Sequence, residues 1–141
     1  MRLINFIFIL IGVAILSAFI TFFAYNNILV IEIKEISVDA NFTNFNKVGF
    51  NLDKDMMHFG KIPVGGSGER SFELSNTKKF PVSAKIYAVG DIKDYIIVKE
   101  NDIRLLPGET KNAKVGVYAP INAEKKGYTG KIIIEIRWSP I

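Results

Sequence analysis

Two residue types that carry much of enzyme chemistry are absent or nearly absent from this sequence. It has no cysteine among its 141 residues and a single histidine, His58. Without cysteine the chain can form neither a disulfide nor a thiolate, which excludes disulfide stapling and thiol chemistry. A serine triad would have one candidate base, and no Gly-x-Ser-x-Gly motif accompanies it. We therefore predict no enzymatic activity and expect His58 to be a surface or half-buried strand residue.

Patterns that hold metals or phosphates are also missing. The carboxylates that lie close together in the sequence are Asp53 and Asp55, Asp91 and Asp94, and Glu100 and Asp102. Calcium needs six or more oxygen ligands, and the chain has no Asp-rich loop with glycine at the required position. The glycine-rich residues 65–68 precede an alternating segment instead of a helix, which argues against a phosphate cradle. We expect neither a cofactor nor a metal ion.

A clustered stripe of basic residues is lacking as well. The 18 lysines and arginines exceed the 14 acidic residues by four, and the charges are dispersed along the chain. A nucleic-acid interface needs a basic face or stripe that follows the phosphate backbone. The sequence therefore predicts no nucleic-acid partner.

A long uncharged stretch dominates the N-terminal part. Residues 6–25 contain no charge, and Ser17 and Thr21 are the polar members of an otherwise apolar run. At about 1.5 Å of rise per residue, such a helix would cover about 30 Å, the hydrocarbon thickness of a bilayer. We assign residues 1–27 to a transmembrane signal anchor and residues 28–141 to a separate domain.

The alternative to an anchor is a cleaved signal peptide. Signal peptides have an apolar run of about 7 to 15 residues, followed by a small-x-small cleavage site. The run here is longer, and neither Ser17-Ala18-Phe19 nor Phe23-Ala24-Tyr25 has small residues at both required positions. This favours an uncleaved anchor.

The charges that flank the anchor predict its orientation. Arg2 and the terminal amine precede it, whereas Glu32, Lys34 and Glu35 after it nearly balance. The positive-inside rule then favours a single-pass protein of the cell membrane with its N-terminus in the cytoplasm and its domain outside. Asn41-Phe42-Thr43 matches the N-glycosylation sequon, so Asn41 is a candidate glycosylation site, although such triplets also arise by chance.

Beyond the anchor, apolar residues recur at every second position in about eight short segments. These segments lie near Leu29, Val48, Glu69, Val82, Tyr95, Ile103, Ala113 and Gly127. The polar residues 39–47 predict a loop, residues 76–79 predict a hairpin turn, and a change of phase near Lys34-Glu35 predicts a bulge. The pattern predicts an all-β fold of two stacked sheets, a β-sandwich of about eight strands.

Five motifs in this domain resemble a known family. They are residues 59–65 (FGKIPVG), 72–77 (FELSNT), 81–82 (PV), 106–109 (LPGE) and 127–130 (GYTG). Their order is similar to that in the immunoglobulin-like β-sandwich superfamily of ASH, major sperm protein and PapD-type domains. The resemblance covers about residues 48–138 and implies an immunoglobulin-like fold. It implies no catalytic residues, because such domains serve as binding modules, scaffolds, pilus chaperones and surface-protein repeats.

Anchor and resemblance together suggest a cell-surface protein of a prokaryote, with an archaeon as one hypothesis from the composition. We expect a non-catalytic, membrane-anchored envelope module that binds another envelope or surface protein. The alternative is a self-associating subunit of an extracellular filament or envelope-spanning machine, such as a pilus or archaellum-type accessory component. The first and last strands are the expected sheet edges, and candidate edge-strand or surface contacts are Lys131, Ile133, Glu135 and Arg137.

Overall fold

The computed structural model of the chain describes residues 2–28, 30–44 and 56–139, including side chains except those of residues 2, 3 and 25–28. The chain begins with helix α1 (Arg2–Ile28). Its side chains from residue 4 to residue 23 are all exposed. The segment Ile4–Ala24 is long and apolar enough to cross a membrane. The predicted N-terminal apolar helix is therefore confirmed.

The rest of the described chain is mostly β-structure. The strands are β1 (Val30–Thr43), β2 (Met56–Pro63), β3 (Ser67–Ser75), β4 (Val82–Gly90), β5 (Ile96–Val98), β6 (Asp102–Leu105), β7 (Thr110–Tyr118) and β8 (Gly127–Trp138). A 3₁₀ turn (Lys93–Tyr95) precedes β5. The larger sheet has the order β2-β1-β8-β4-β6, and the smaller sheet has the order β3-β7-β5. β1 and β2 are parallel, and every other pair is antiparallel.

One hydrophobic core joins the two sheets. Ile132, Ile134 and Ile136 of β8 face it together, as the alternation predicted, and Val115 and Val117 of β7 face it from the smaller sheet. Burying a side chain of this size contributes roughly 1.5–3 kcal/mol relative to leaving it in water. The predicted all-β class with two sheets is therefore confirmed.

The prediction that the first and last strands form sheet edges is wrong for β8 and for the second half of β1. β8 is the middle strand of the larger sheet, and β1 lies between β2 and β8. Among the described strands, the edges are β2 and β6 in one sheet and β3 and β5 in the other. The sequence signal for a central β8 is the run of three buried residues, Ile132, Ile133 and Ile134, because the outward-facing Ile133 is buried between neighbouring residues of β1 and β4.

The loop predicted for residues 39–47 is wrong over its first half. β1 continues to Thr43 and pairs with both β8 and β2. Ala40 and Phe42 are buried in the core, while Asp39 and Asn41 belong to the opposite face. This stretch is polar because of its outward face, not because it turns. Residues 45–47 and the strand predicted near Val48 lie outside the described residues.

Two local predictions are also wrong. β3 and β4 do not form a hairpin, because β3 belongs to the smaller sheet and β4 to the larger one. Residues 76–81 instead carry the chain from one sheet to the other. The bulge predicted near Lys34-Glu35 is also misplaced, since β1 and β8 stay in continuous register from Glu32 to Asn41 and their register shifts between Val30 and Glu32. The change of phase arises because Glu32 and Lys34 share the inward face with Ile36 at an end where a groove opens between the sheets.

Candidate functional site

A groove of about 480 Å³ opens between the two sheets. Its floor is apolar and is formed by Ile36, Phe72, Leu74, Val82, Ala84, Leu105, Ile134 and Ile136. Its rim carries Glu32, Lys34, Glu73 and Lys78. We call this feature the inter-sheet groove. An apolar floor below a charged rim is the usual composition of a binding site.

Two strand edges flank the inter-sheet groove. Residues 30–36 of β1 lie beside β8 on one side, and β2 joins the other side only from Ser37 onward. Within the described ranges, no strand covers that other side of residues 30–36. On the opposite bank, β3 is the edge of the smaller sheet. Uncovered strand edges present backbone donors and acceptors to which another extended chain can pair.

Exposed ion pairs connect the rim of the groove. Glu32 lies between two lysines, with 3.6 Å from one carboxylate oxygen to Lys34 Nζ and 3.6 Å from the other to Lys78 Nζ. The three side chains are 37–53% exposed. Pairs of this kind are weak in water, typically below about 1 kcal/mol. The rim can therefore exchange its internal pairs for contacts with a ligand at small cost.

Asn76 fixes one end of the groove. It follows β3, and only 3% of it is exposed. Its Nδ2 donates to the carbonyl oxygens of Phe80, Leu105 and Leu106 at 3.0–3.1 Å, and its Oδ1 accepts from the backbone N–H of Lys78 at 2.9 Å. These bonds tie the crossing segment to the end of β6. Sequence reasoning missed this role, because Asn in a polar stretch indicates a turn and not a buried hub.

The four contact residues predicted on the last strand share the outer face of the larger sheet. Lys131 Nζ donates to Glu35 Oε2 at 2.6 Å. Ile133 lies on this face between Lys131 and Glu135 and is only 7% exposed. The structure thus brings these residues together on a central strand. Their assignment to an edge strand is wrong, while their role as surface contacts stays a prediction.

Glu135 and its partners form the polar part of the same face. Tyr87 donates its hydroxyl to Glu135 Oε1 at 2.6 Å, and Arg137 Nη2 donates to Oε2 at 2.6 Å. The Tyr87 hydrogen bond, followed by the Arg137 hydrogen bond, lowers the pKa of Glu135. The same bond to Glu135 raises the pKa of Tyr87. This network already satisfies the charged groups that a partner would otherwise engage.

Asn41 is placed differently from the sequence expectation. It lies within β1, where it is opposite Gly127 of β8 and Lys61 of β2, instead of in a loop. Its side chain is exposed, and its neighbours Ala40 and Phe42 are buried. Glycosylation of Asn41 stays a prediction.

His58 is a half-buried strand residue, as predicted, with a side chain 15% exposed. Its Nδ1 lies 2.6 Å from Asp39 Oδ1 on the neighbouring strand β1. Arg70 of β3 donates from Nε and Nη2 to the carbonyl oxygen of His58 at 3.1 and 3.0 Å. These contacts connect β2 to both of its neighbours. In the described part of the chain, no three His, Asp or Glu side chains are grouped so that they could hold a metal ion.

No protein-family model, curated protein or solved structure matches this chain. The likeness to ASH, major sperm protein and PapD-type domains therefore rests on the sequence motifs alone.

Proposed function

We propose that this chain is a non-catalytic, membrane-anchored module of the cell envelope that binds another protein through the inter-sheet groove. In this proposal α1 is a single-pass anchor with its N-terminus in the cytoplasm, and an immunoglobulin-like β-sandwich is displayed outside. The observation that carries the proposal is the groove itself, in which an apolar floor lies between two strand edges that no strand of the described ranges covers.

The ligand that fits these features is an extended segment of another envelope or surface protein. A strand added to residues 30–36 of β1 or to β3 would gain backbone hydrogen bonds along the edge. Every second side chain of such a segment points to one face, so alternating apolar side chains would reach Ile36 and Phe72, the half-buried residues of the floor. The stretch of β1 that no described strand covers accommodates a segment of about seven residues, roughly 23 Å long.

The connection to α1 determines where such a partner must be. α1 ends at Ile28 and β1 begins at Val30, so a single residue separates helix and strand. Two steps along a chain cover at most about 7 Å. If α1 spans the membrane, the groove therefore opens close to the bilayer surface, and its partner is another membrane-proximal protein.

Site-specific photocrosslinking in native membranes tests the proposal. A benzophenone amino acid replaces either Lys34 on the groove rim or Lys114 on β7, whose side chains are 53% and 55% exposed. We expect an adduct with a second protein from position 34 and none from position 114. Equal yields at the two positions, or no adduct at position 34, would overturn binding through the groove.

A filament or machine subunit is the second candidate. In such an assembly, copies of the chain would pack against each other through the apolar side chains of α1. The same crosslinking experiment separates the two functions. Adducts made only of this chain, in a regular ladder of masses, would support the filament subunit, whereas an adduct with a different protein supports the binding module.

Protease treatment of intact cells tests the proposed orientation. The domain should be cleaved while cells are intact, because it is displayed outside. Protection in intact cells followed by cleavage after lysis would place the domain in the cytoplasm and contradict the proposed topology.

A further inference from the structure

Three large apolar side chains are exposed at one end of the larger sheet. Phe80 is 39% exposed, Leu106 is 52% exposed and Trp138 is 46% exposed. Trp138 ends β8 and lies opposite Val82, the first residue of β4, while Leu105 at the end of β6 lies on the other side of Val82. Leu106 directly follows Leu105, and Phe80 is two residues before Val82. We call this group the apolar tip.

The apolar tip is also the end at which the chain arrives from α1. Val30, the first residue of β1, lies opposite Arg137, which directly precedes Trp138. Only one residue separates Val30 from the end of α1. A bilayer that contains α1 would therefore lie against this end of the domain.

The backbone that carries the tip is held by hydrogen bonds. Asn76 Nδ2 donates to the carbonyl oxygens of both Phe80 and Leu106 at 3.0 Å. The N–H of Ser139 donates to the carbonyl oxygen of Pro81 at 3.2 Å. The apolar side chains thus project from a fixed base, and their exposure does not result from a frayed strand end.

The chemistry of the tip suits the interfacial layer of a bilayer. Tryptophan is enriched at the depth of the headgroups, and tryptophan, phenylalanine and leucine form the apolar face of segments that lie in the membrane interface. Lys78 and Lys79 directly precede Phe80, and the long stems of lysines let their ammonium groups reach lipid phosphates. Exposed apolar residues also occur at the opposite end, at Tyr118 and Ile121. The short connection to α1 is what distinguishes the two ends.

We propose that the apolar tip inserts into the lipid headgroup layer and so fixes the angle of the domain on the membrane. The inference rests on the membrane anchoring in the proposed function. It adds a second contact between protein and lipid, outside α1. With the tip on the bilayer, the inter-sheet groove keeps a defined height above the membrane surface. A domain held by α1 alone would have no second contact to fix that height.

Trp138 is the chain's single tryptophan and provides the test. The full chain is reconstituted into vesicles of phosphatidylcholine and phosphatidylglycerol, with or without lipids brominated near the headgroup end of their acyl chains. Bromine quenches indole fluorescence only on close approach. We expect the brominated vesicles to reduce Trp138 emission at least twofold.

The matched control moves the tryptophan to the far end of the domain. Tyr118 is 44% exposed and ends β7, whose first residue lies near the tip. The strand puts Tyr118 about 27 Å from that end. In the double variant Trp138→Phe/Tyr118→Trp, we expect brominated lipid to leave the emission unchanged.

Extraction of the same vesicles with alkaline carbonate separates the inference from the function on which it rests. A chain that is washed out is not anchored, and both proposals would be wrong. A chain that is retained while Trp138 is not quenched would overturn lipid insertion of the tip alone. Equal quenching of Trp138 and of the tryptophan at position 118 would also overturn it, because no single end would then face the bilayer.

Discussion

The side-chain amide of Asn76 donates a 3.1 Å hydrogen bond to the carbonyl oxygen of Leu105, which lies 29 residues further along the chain. The bond joins the end of a strand in the smaller sheet to the last residue of an edge strand in the larger sheet. The backbone of Asn76 takes part as well, since its N–H donates to the carbonyl oxygen of Glu109 at 2.9 Å and its carbonyl accepts from Gly108 at 2.9 Å. One buried polar residue therefore couples the two sheets where the inter-sheet groove and the apolar tip meet.

Removing this amide should destabilise the whole domain. Asn76→Ala leaves three carbonyl oxygens without their donor, and we expect it to lower the free energy of unfolding by about 3 kcal/mol. Urea unfolding of the full chain in detergent, followed by circular dichroism, measures the loss. Thr77→Ala is the control, because Thr77 is exposed and should change stability by less than about 0.5 kcal/mol. Equal stabilities of the two variants would contradict the role of Asn76.

Gly130 should not tolerate a side chain. It lies opposite Gly90, whose φ is +93°. A Cβ on Gly130 would overlap the carbonyl oxygen of Val89 and lie 2.8 Å from Ile92 Cγ2. Because backbone cannot yield as a flexible side chain does, we expect Gly130→Ala to cost about 3 kcal/mol in the same urea assay.

Gly127 is the matched control on the same strand. A Cβ there would meet nothing within 4 Å. We expect Gly127→Ala to stay within about 0.5 kcal/mol of the parent chain. A Gly130→Ala protein as stable as the Gly127→Ala protein would show that β4 and β8 do not approach as closely as described.

Alternation predicted the strands of this domain better than it predicted how they pair. The common face of Ile132, Ile134 and Ile136 follows from spacing alone. The central position of β8 depends on pairing with β1, about a hundred residues earlier in the chain, and local spacing does not contain that information. Ile133 is the one local sign of it, because its burial on the outer face requires neighbours on both sides.

The inter-sheet groove could not be predicted from the sequence, because it also depends on how distant strands are placed. The groove arises where β1 and β3 face each other without hydrogen bonding, and no motif records such a juxtaposition. Glu32 and Lys34 interrupt the apolar pattern, which in the sequence alone indicates a change of phase. In the fold they are polar because the inward face of β1 opens there into the groove. The interruption of the alternation is therefore the local sequence signal of the groove. It has two physical explanations, a change of phase and an inward face that opens into the groove.

The Glu135 network should make stability depend on pH in the acid range. Its hydrogen bonds hold the pKa of Glu135 below its ordinary value of 4.5 in the folded chain. A depressed folded-state pKa stabilises the fold above the unfolded value, and this contribution is lost as pH falls through the folded value. We expect Glu135→Gln to lower the unfolding free energy by about 1–2 kcal/mol at pH 7.

Comparing the parent chain and Glu135→Gln at pH 7 and pH 3 isolates this effect, since other groups titrate equally in both proteins. The difference in unfolding free energy should shrink at pH 3. Tyr87→Phe removes the first hydrogen bond of the network and should reproduce part of the loss at pH 7. A difference that is the same at both pH values would show that the Glu135 carboxylate does not stabilise the fold through its charge.

The burial of Phe42 distinguishes a strand from a loop over residues 39–43. In the fold its ring is less than 2% exposed and packs on Tyr95 and Tyr128, with ring centroids 5.1 and 4.7 Å away. Truncating such a ring leaves a cavity, so we expect Phe42→Ala to cost about 3–5 kcal/mol in urea unfolding. Phe80→Ala in detergent is the control, because Phe80 is exposed and should lose less than about 1 kcal/mol. If residues 39–43 formed a surface loop, as the polar sequence around Phe42 indicates, Phe42→Ala and Phe80→Ala would lower the unfolding free energy equally little. A large loss at Phe42 alone would instead require residues 39–43 of β1 to run into the core beside β8. That arrangement places β8 and this half of β1 inside the sheet and leaves residues 30–36, beside the inter-sheet groove, as the part of β1 that no described strand covers on one side.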